Sequence, residues 1–125
     1  MQLLQLILVF VGGGLGSVSR FFLSLVISSN LVTPFPWGTL TVNILGCFII
    51  GIVIGIIERY QLNPYWTLLF ATGFCGGFTT FSSFSYENNL LVKNSEYFLA
   101  LVYILISVFW GFAATFLAMF MVRKF

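Results

Sequence analysis

An all-α membrane protein with four transmembrane helices, the third broken in mid-membrane, follows from three features of this 125-residue chain. Hydrophobic types make up 60 % of it against 6 % charged, with a mean hydropathy of +1.09. The apolar residues fall into four runs, each long enough for the roughly 20 residues that a bilayer core of about 30 Å requires. The third run carries a Gly-, Ser- and Thr-rich middle that weakens helix propensity. A soluble domain carries about 25 % charged residues, and the 5 Lys/Arg and 3 Glu present here cannot coat such a globule. Disorder is excluded as well, because 16 Phe, 5 Tyr and 3 Trp are too apolar for a solvated coil.

The length fits one domain over residues 1–125. The first span covers about residues 3–28. No Lys or Arg precedes it and no Ala-x-Ala-like site follows, so it reads as a retained span rather than a signal peptide. Asn30, Pro34 and Pro36 stop it. The second covers about 37–57, with Glu58, Arg59, Gln61, Asn63 and Pro64 at its exit. The third covers about 65–92 and turns at Lys93, Asn94, Ser95 and Glu96; the fourth covers about 97–122, closed by Arg123 and Lys124. Trp37, Tyr60, Tyr65, Trp66 and Tyr97 lie at span ends, where amphipathic rings prefer the headgroup level. Four spans put both termini on one side, with Arg59, Arg123 and Lys124, against Lys93 and a snorkelling Arg20 on the other. A charge bias this weak permits insertion in both orientations.

Composition also removes chemistry. There is no His and no Asp, and the carboxylates are Glu58, Glu87 and Glu96. A His-based triad, a His-containing zinc site and a carboxylate dyad all lack parts. No phosphate-binding Gly-Lys-Ser/Thr loop is present, and a net charge of +2 is too small for nucleic acid. Cys47 and Cys75 sit in apolar runs and read as small buried residues rather than a disulfide.

The spans nonetheless carry polar groups. Gly12, Gly16 and Arg20 recur every fourth residue, with Gly13 and Ser17 beside them, a spacing that lets helices approach closely. A cation inside a span costs at least about 2.5 kcal/mol. Arg20 therefore either snorkels or caps carbonyls, or it draws an anion into a watery vestibule. In the second span Thr39 and Asn43 share a face. Asn43 either clamps a neighbouring helix or turns its amide donors to a polar pathway. Gly51 and Gly55 are a packing pair. The third span reads Gly73-Phe74-Cys75-Gly76-Gly77-Phe78-Thr79-Thr80-Phe81-Ser82-Ser83-Phe84-Ser85. A helix broken there frees carbonyls for a cation and amides for an anion; an unbroken one would tie its hydroxyls back to its own carbonyls. Phe81 and Phe84 share a face, and their electropositive ring edges suit either a pathway wall or the core. Tyr103, Ser107, Gly111 and Thr115 form one semi-polar stripe on the fourth span. Glu87, late in the third span, has no role readable from sequence.

Three motifs, Gly12-Gly13-Gly14-Leu15-Gly16-Ser17-Val18-Ser19-Arg20, Gly38-Thr39-Leu40-Thr41-Val42-Asn43-Ile44-Leu45-Gly46 and the Gly73–Ser85 stretch, occur in this order along a chain of this size. In them the chain resembles the CrcB/Fluc family of small bacterial fluoride channels over essentially its whole length. The resemblance implies a multi-pass protein of the bacterial cell membrane that passively exports fluoride. It implies an antiparallel dual-topology dimer, either two copies or two paired homologous subunits, with two pores along the interface. It also implies a central Na+ on the backbone carbonyls of Gly76 and Thr79. By position, the fluoride pathway takes Asn43, Phe81 and Phe84, the hydroxyls of Ser82, Ser83, Tyr103 and Ser107, and Thr39 on the Asn43 face, with Arg20 at the vestibule. Gly111 stands where some relatives have a further serine. Distributed weak donors replace fluoride's water without trapping the ion. A small multidrug-type antiporter would need a buried carboxylate in its first span, and this one has none. A purely structural subunit would not need Asn43, the broken helix or the hydroxyl stripe.

Overall fold

The computed structural model describes all of Met1–Phe125 and contains helices and turns without a strand. Three helices, α1 (Gln2–Ser29), α2 (Trp37–Tyr60) and α6 (Tyr97–Lys124), are long and apolar enough to cross a membrane. Between α2 and α6 runs a broken helix. It consists of α3 (Pro64–Trp66), a π-helical stretch (Thr67–Cys75), a single turn α4 (Gly76–Phe78) and α5 (Phe81–Lys93).

The turns use the expected chemistry. The Asn30 side-chain amide and the Ser29 hydroxyl donate to the Val26 carbonyl at 2.8 and 3.0 Å, closing α1 before the prolines. Helix α2 continues to Tyr60, one turn past the expected end near residue 57. Glu58 and Arg59 end the apolar run but not the helix; Gln61, in the left-handed region at φ 51°, ends it. Asn63 accepts from Tyr65 N–H at 2.9 Å, with Pro64 in the first turn, and so restarts a helix.

The third span breaks within the expected Gly73–Ser85 stretch, just before Phe81. Gly73, Gly76 and Gly77 stay helical, the first in the π stretch, while Thr79 (φ −82°, ψ 155°) and Thr80 (φ −146°, ψ 121°) are extended. The widened turns of a π-helix are rare and cluster at functional sites. A side chain on α2, described below, meets the backbone at the break.

Side-chain meetings fix the directions. The Tyr65 hydroxyl lies 3.4 Å from Met1 Sδ, and a Cβ on Gly12 or Gly16 would strike the Leu69 or Phe74 carbonyl, so α1 runs alongside the π stretch in the same direction. Gly38, at the start of α2, meets Ser24 and Ser28 near the end of α1. Thr39 and Tyr103 share a partner near the starts of α2 and α6, while Gly51 meets Thr115 and Ala118, and Gly55 meets Val122, towards their ends. Helices α2 and α6 are therefore parallel, and the broken helix must travel the length of the bundle to connect them. Both chain ends fall at the Arg59–Arg123 end, where Arg59 donates to the Val122 carbonyl and Arg123 lies 3.5 Å from Glu58.

The interior is thin. Only 19 of 125 residues are buried, and the apolar core gathers Phe35, Leu40, Leu91, Ala100 and Tyr103. Phe10, Phe21, Phe98, Phe112 and Phe116 stand exposed. Such a surface is stable against lipid or another apolar chain, not against water.

Candidate ion-conducting site

The site grows out of the break at Thr79–Thr80. Asn43 on α2 donates its amide to the Thr80 carbonyl at 3.0 Å and accepts the Thr80 N–H on Oδ1 at 2.7 Å. The clamp alternative for Asn43 is thus the geometry of the single chain, and one further amide hydrogen remains to it. Taking the Thr80 N–H removes the donor that an unbroken helix would aim at the Gly76 carbonyl. Three residues on, Ser83 N–H, which an unbroken helix would aim at the Thr79 carbonyl, goes instead to Thr80 Oγ1 at 3.2 Å. The two diverted donors leave the Gly76 and Thr79 carbonyls without their helical partners. Both residues line a cavity of about 350 Å³ together with Asn43 and Phe81.

A second cleft, of about 260 Å³, brings Arg20, Thr39, Ser83 and Glu87 together with Thr80. Arg20 caps a carbonyl, its Nε donating to Gly77 at 3.0 Å, while it still lines this cleft. Glu87 is the residue that sequence reading left without a role. It is part-buried at the cleft, level with the starts of α2 and α6, and accepts from Thr39 Oγ1 at 2.7 Å and from the Tyr103 hydroxyl at 2.9 Å. Two groups assigned to the pathway therefore already donate to a carboxylate.

The remaining expected residues divide. Phe81 is 79 % exposed, its ring 5.8 Å from Phe84. Phe84 packs edge-on against Tyr103 at 4.9 Å and joins the core. Ser82 is exposed and shares a hydrogen bond with Thr80 Oγ1 at 3.2 Å. Ser107 carries a buried hydroxyl with no partner, and so does the Asn88 side-chain carbonyl. Neither Phe84 nor Ser107 lines either cavity. A Cβ at Gly111 would find only Cys47 Sγ, at 3.5 Å. Thr115 donates to the Cys47 carbonyl at 2.9 Å, so the lower stripe on α6 faces α2. Asn43 was legible as an amide in need of partners. Glu87 was not, because its partners lie 48 residues upstream and 16 downstream.

A bundle of apolar helices with an interrupted helix, and with polar side chains collected around the interruption, has the build of a membrane transport protein. The family model described as CrcB-like protein, Camphor Resistance (CrcB), matches residues 7–119. The chain is 52 % identical over 122 residues to the fluoride-specific ion channel FluC of Gloeothece citriformis, covering 98 % of this chain and 99 % of that one. It is 46 % identical over 122 residues to the FluC of Leptospira interrogans serovar copenhageni (97 % and 96 % covered). It is 44 % identical over 117 residues to that of Phocaeicola vulgatus (94 % and 97 %). The chain belongs to the CrcB family.

Proposed function

We propose that this chain is a passive fluoride channel of the bacterial cell membrane, not an enzyme, with four crossings per chain. The reading rests first on the break at Thr79–Thr80, which gathers uncharged donors beside an exposed Phe81. It is supported by near full-length relatives whose names state that activity. Two inverted copies, or this chain and a paired homologous subunit, form the conducting unit, with a pore along each side of the shared interface.

Fluoride is small and tightly hydrated, so every water it sheds needs a substitute. Arg20 offers the anion a positive charge at the polar cleft, which it shares with Glu87. The hydroxyls of Ser82 and Ser83, and the amide hydrogen of Asn43 not given to Thr80, donate in turn. The edges of Phe81 and Phe84 receive the ion weakly, which favours passage over capture. Thr39 and Tyr103 donate to Glu87 and so offset its charge where it fronts that same cleft. Ser107 contributes a hydroxyl that no other group engages. The membrane potential drives the ion outward without a coupled proton.

The donor set at the break also fits a Na+ ion. Gly76 and Thr79 offer hard carbonyl oxygens released from helical bonding, and two inverted chains would double the set. Bound there, Na+ would tie the two subunits together and lower the barrier for an anion passing nearby.

The channel reading is tested against exchange with protons by fluoride efflux from proteoliposomes with the proton gradient clamped at zero. Sustained, voltage-driven efflux supports it; efflux that requires a proton gradient refutes it and moves attention to Glu87.

A further inference from the structure

We infer that Cys47 and Cys75 together form a binding site for a soft, two-coordinate divalent cation of the mercuric class. The helix register supplies the pairing. Helix α2 and the stretch leading to the break run antiparallel, with Asn43 meeting Thr80 and Gly46 meeting Thr79. One residue further along α2 is Cys47, and one turn back from Thr79 is Cys75. Both thiols front the cavity of about 350 Å³, and neither is in a disulfide. Cys75 is 2 % exposed, so its sulfur faces the interior rather than lipid. Cys47 Sγ lies on the α6 side, 3.5 Å from where a Cβ on Gly111 would sit, so two-sulfur ligation requires the Cys47 side chain to turn towards Cys75 across the cavity that both front.

The chemistry selects the ion. Thiolates are soft ligands and favour soft metals. Zn2+ wants four ligands, and no third His, Cys, Asp or Glu is grouped with these two. A monovalent soft ion between two thiolates would leave a net negative charge among apolar helices, which is expensive. Hg2+ forms two S–Hg bonds as each thiol loses its proton to water, and the product R–S–Hg–S–R′ is neutral. The site therefore favours the divalent ion on electrostatic grounds. Because the cavity also fronts Asn43 and Phe81, an occupied site would obstruct fluoride; that consequence, unlike the binding itself, rests on the channel reading above.

The test uses the full-length purified chain and mercuric chloride. Denaturing intact-mass measurement should find one mercury per chain with two hydrogens lost, and no linked dimer. In Cys47→Ala and Cys75→Ala the mercury, held by one protein sulfur and a chloride, should be stripped by a monothiol at least ten times faster. Fluoride efflux should be blocked in the unmodified chain and spared in the double variant. Two mercuries per chain, none, dimers linked through mercury, or equal resistance to the monothiol in the single variants would overturn the proposal. A chain that binds one mercury but passes no fluoride would instead refute the channel reading and leave the site standing.

Discussion

Asn43 fixes the break by satisfying both polar groups of the Thr80 backbone at once. Replacing it by Ala orphans a part-buried N–H and C=O, which costs at most about 1–3 kcal/mol for each group. Asn43→Ala should therefore lower resistance to detergent unfolding, and Asn43→Asp should abolish flux, since it removes the remaining donor and adds a repelling charge. Phe81 and Phe84 separate under the same kind of substitution. Phe81→Ile, at an exposed ring, should cut fluoride flux while stability stays within about 0.5 kcal/mol. Phe84→Ile should cut flux and also cost about 1 kcal/mol through the lost edge contact with Tyr103. Flux unchanged in both would remove the rings from the pathway. Residue types were legible in the sequence here, and partners were not: nothing local shows that Tyr103 and Thr39 both spend their hydroxyls on Glu87.

Helix packing explains why the glycines are where they are. Gly12 and Gly16 let α1 lie against the carbonyls of Leu69 and Phe74, whereas Gly14 has nothing within 4 Å of where a Cβ would sit. Gly12→Ala or Gly16→Ala should cost about 1–3 kcal/mol as an overpacked contact with backbone that cannot rotate away. Gly14→Ala should be neutral or slightly stabilising; equal losses at all three sites in a thermal unfolding series would contradict this packing. The small-residue spacing that announced a close helix contact was legible because it is periodic in one segment. The stretch in which the third span breaks was legible from its Gly, Ser and Thr content. The partner at the break was not: Asn43 meets Thr80 across 37 residues, and such a contact leaves no local signature.

In the molecule as a whole, the sequence's four apolar runs gave the bundle, and the parallel course of α2 and α6 accounts for both chain ends at one side. The many exposed Phe side chains leave a large apolar surface suited to lipid or another apolar chain. No single-chain pattern encodes a subunit interface, so the proposed pores and shared ion come to the sequence only through family resemblance. If Gly76 and Thr79 hold Na+ between subunits, exchanging Na+ for a bulky organic cation should weaken subunit association in detergent or slow conduction; indifference of both would remove that assignment. The most direct measurement is electrode-recorded efflux from proteoliposomes made with this purified chain alone, loaded with fluoride or with chloride and shunted electrically. Rapid fluoride release, retained chloride and silence in Asn43→Asp are expected. Retained fluoride from well-folded protein, or chloride leaving as fast, would contradict the proposed channel.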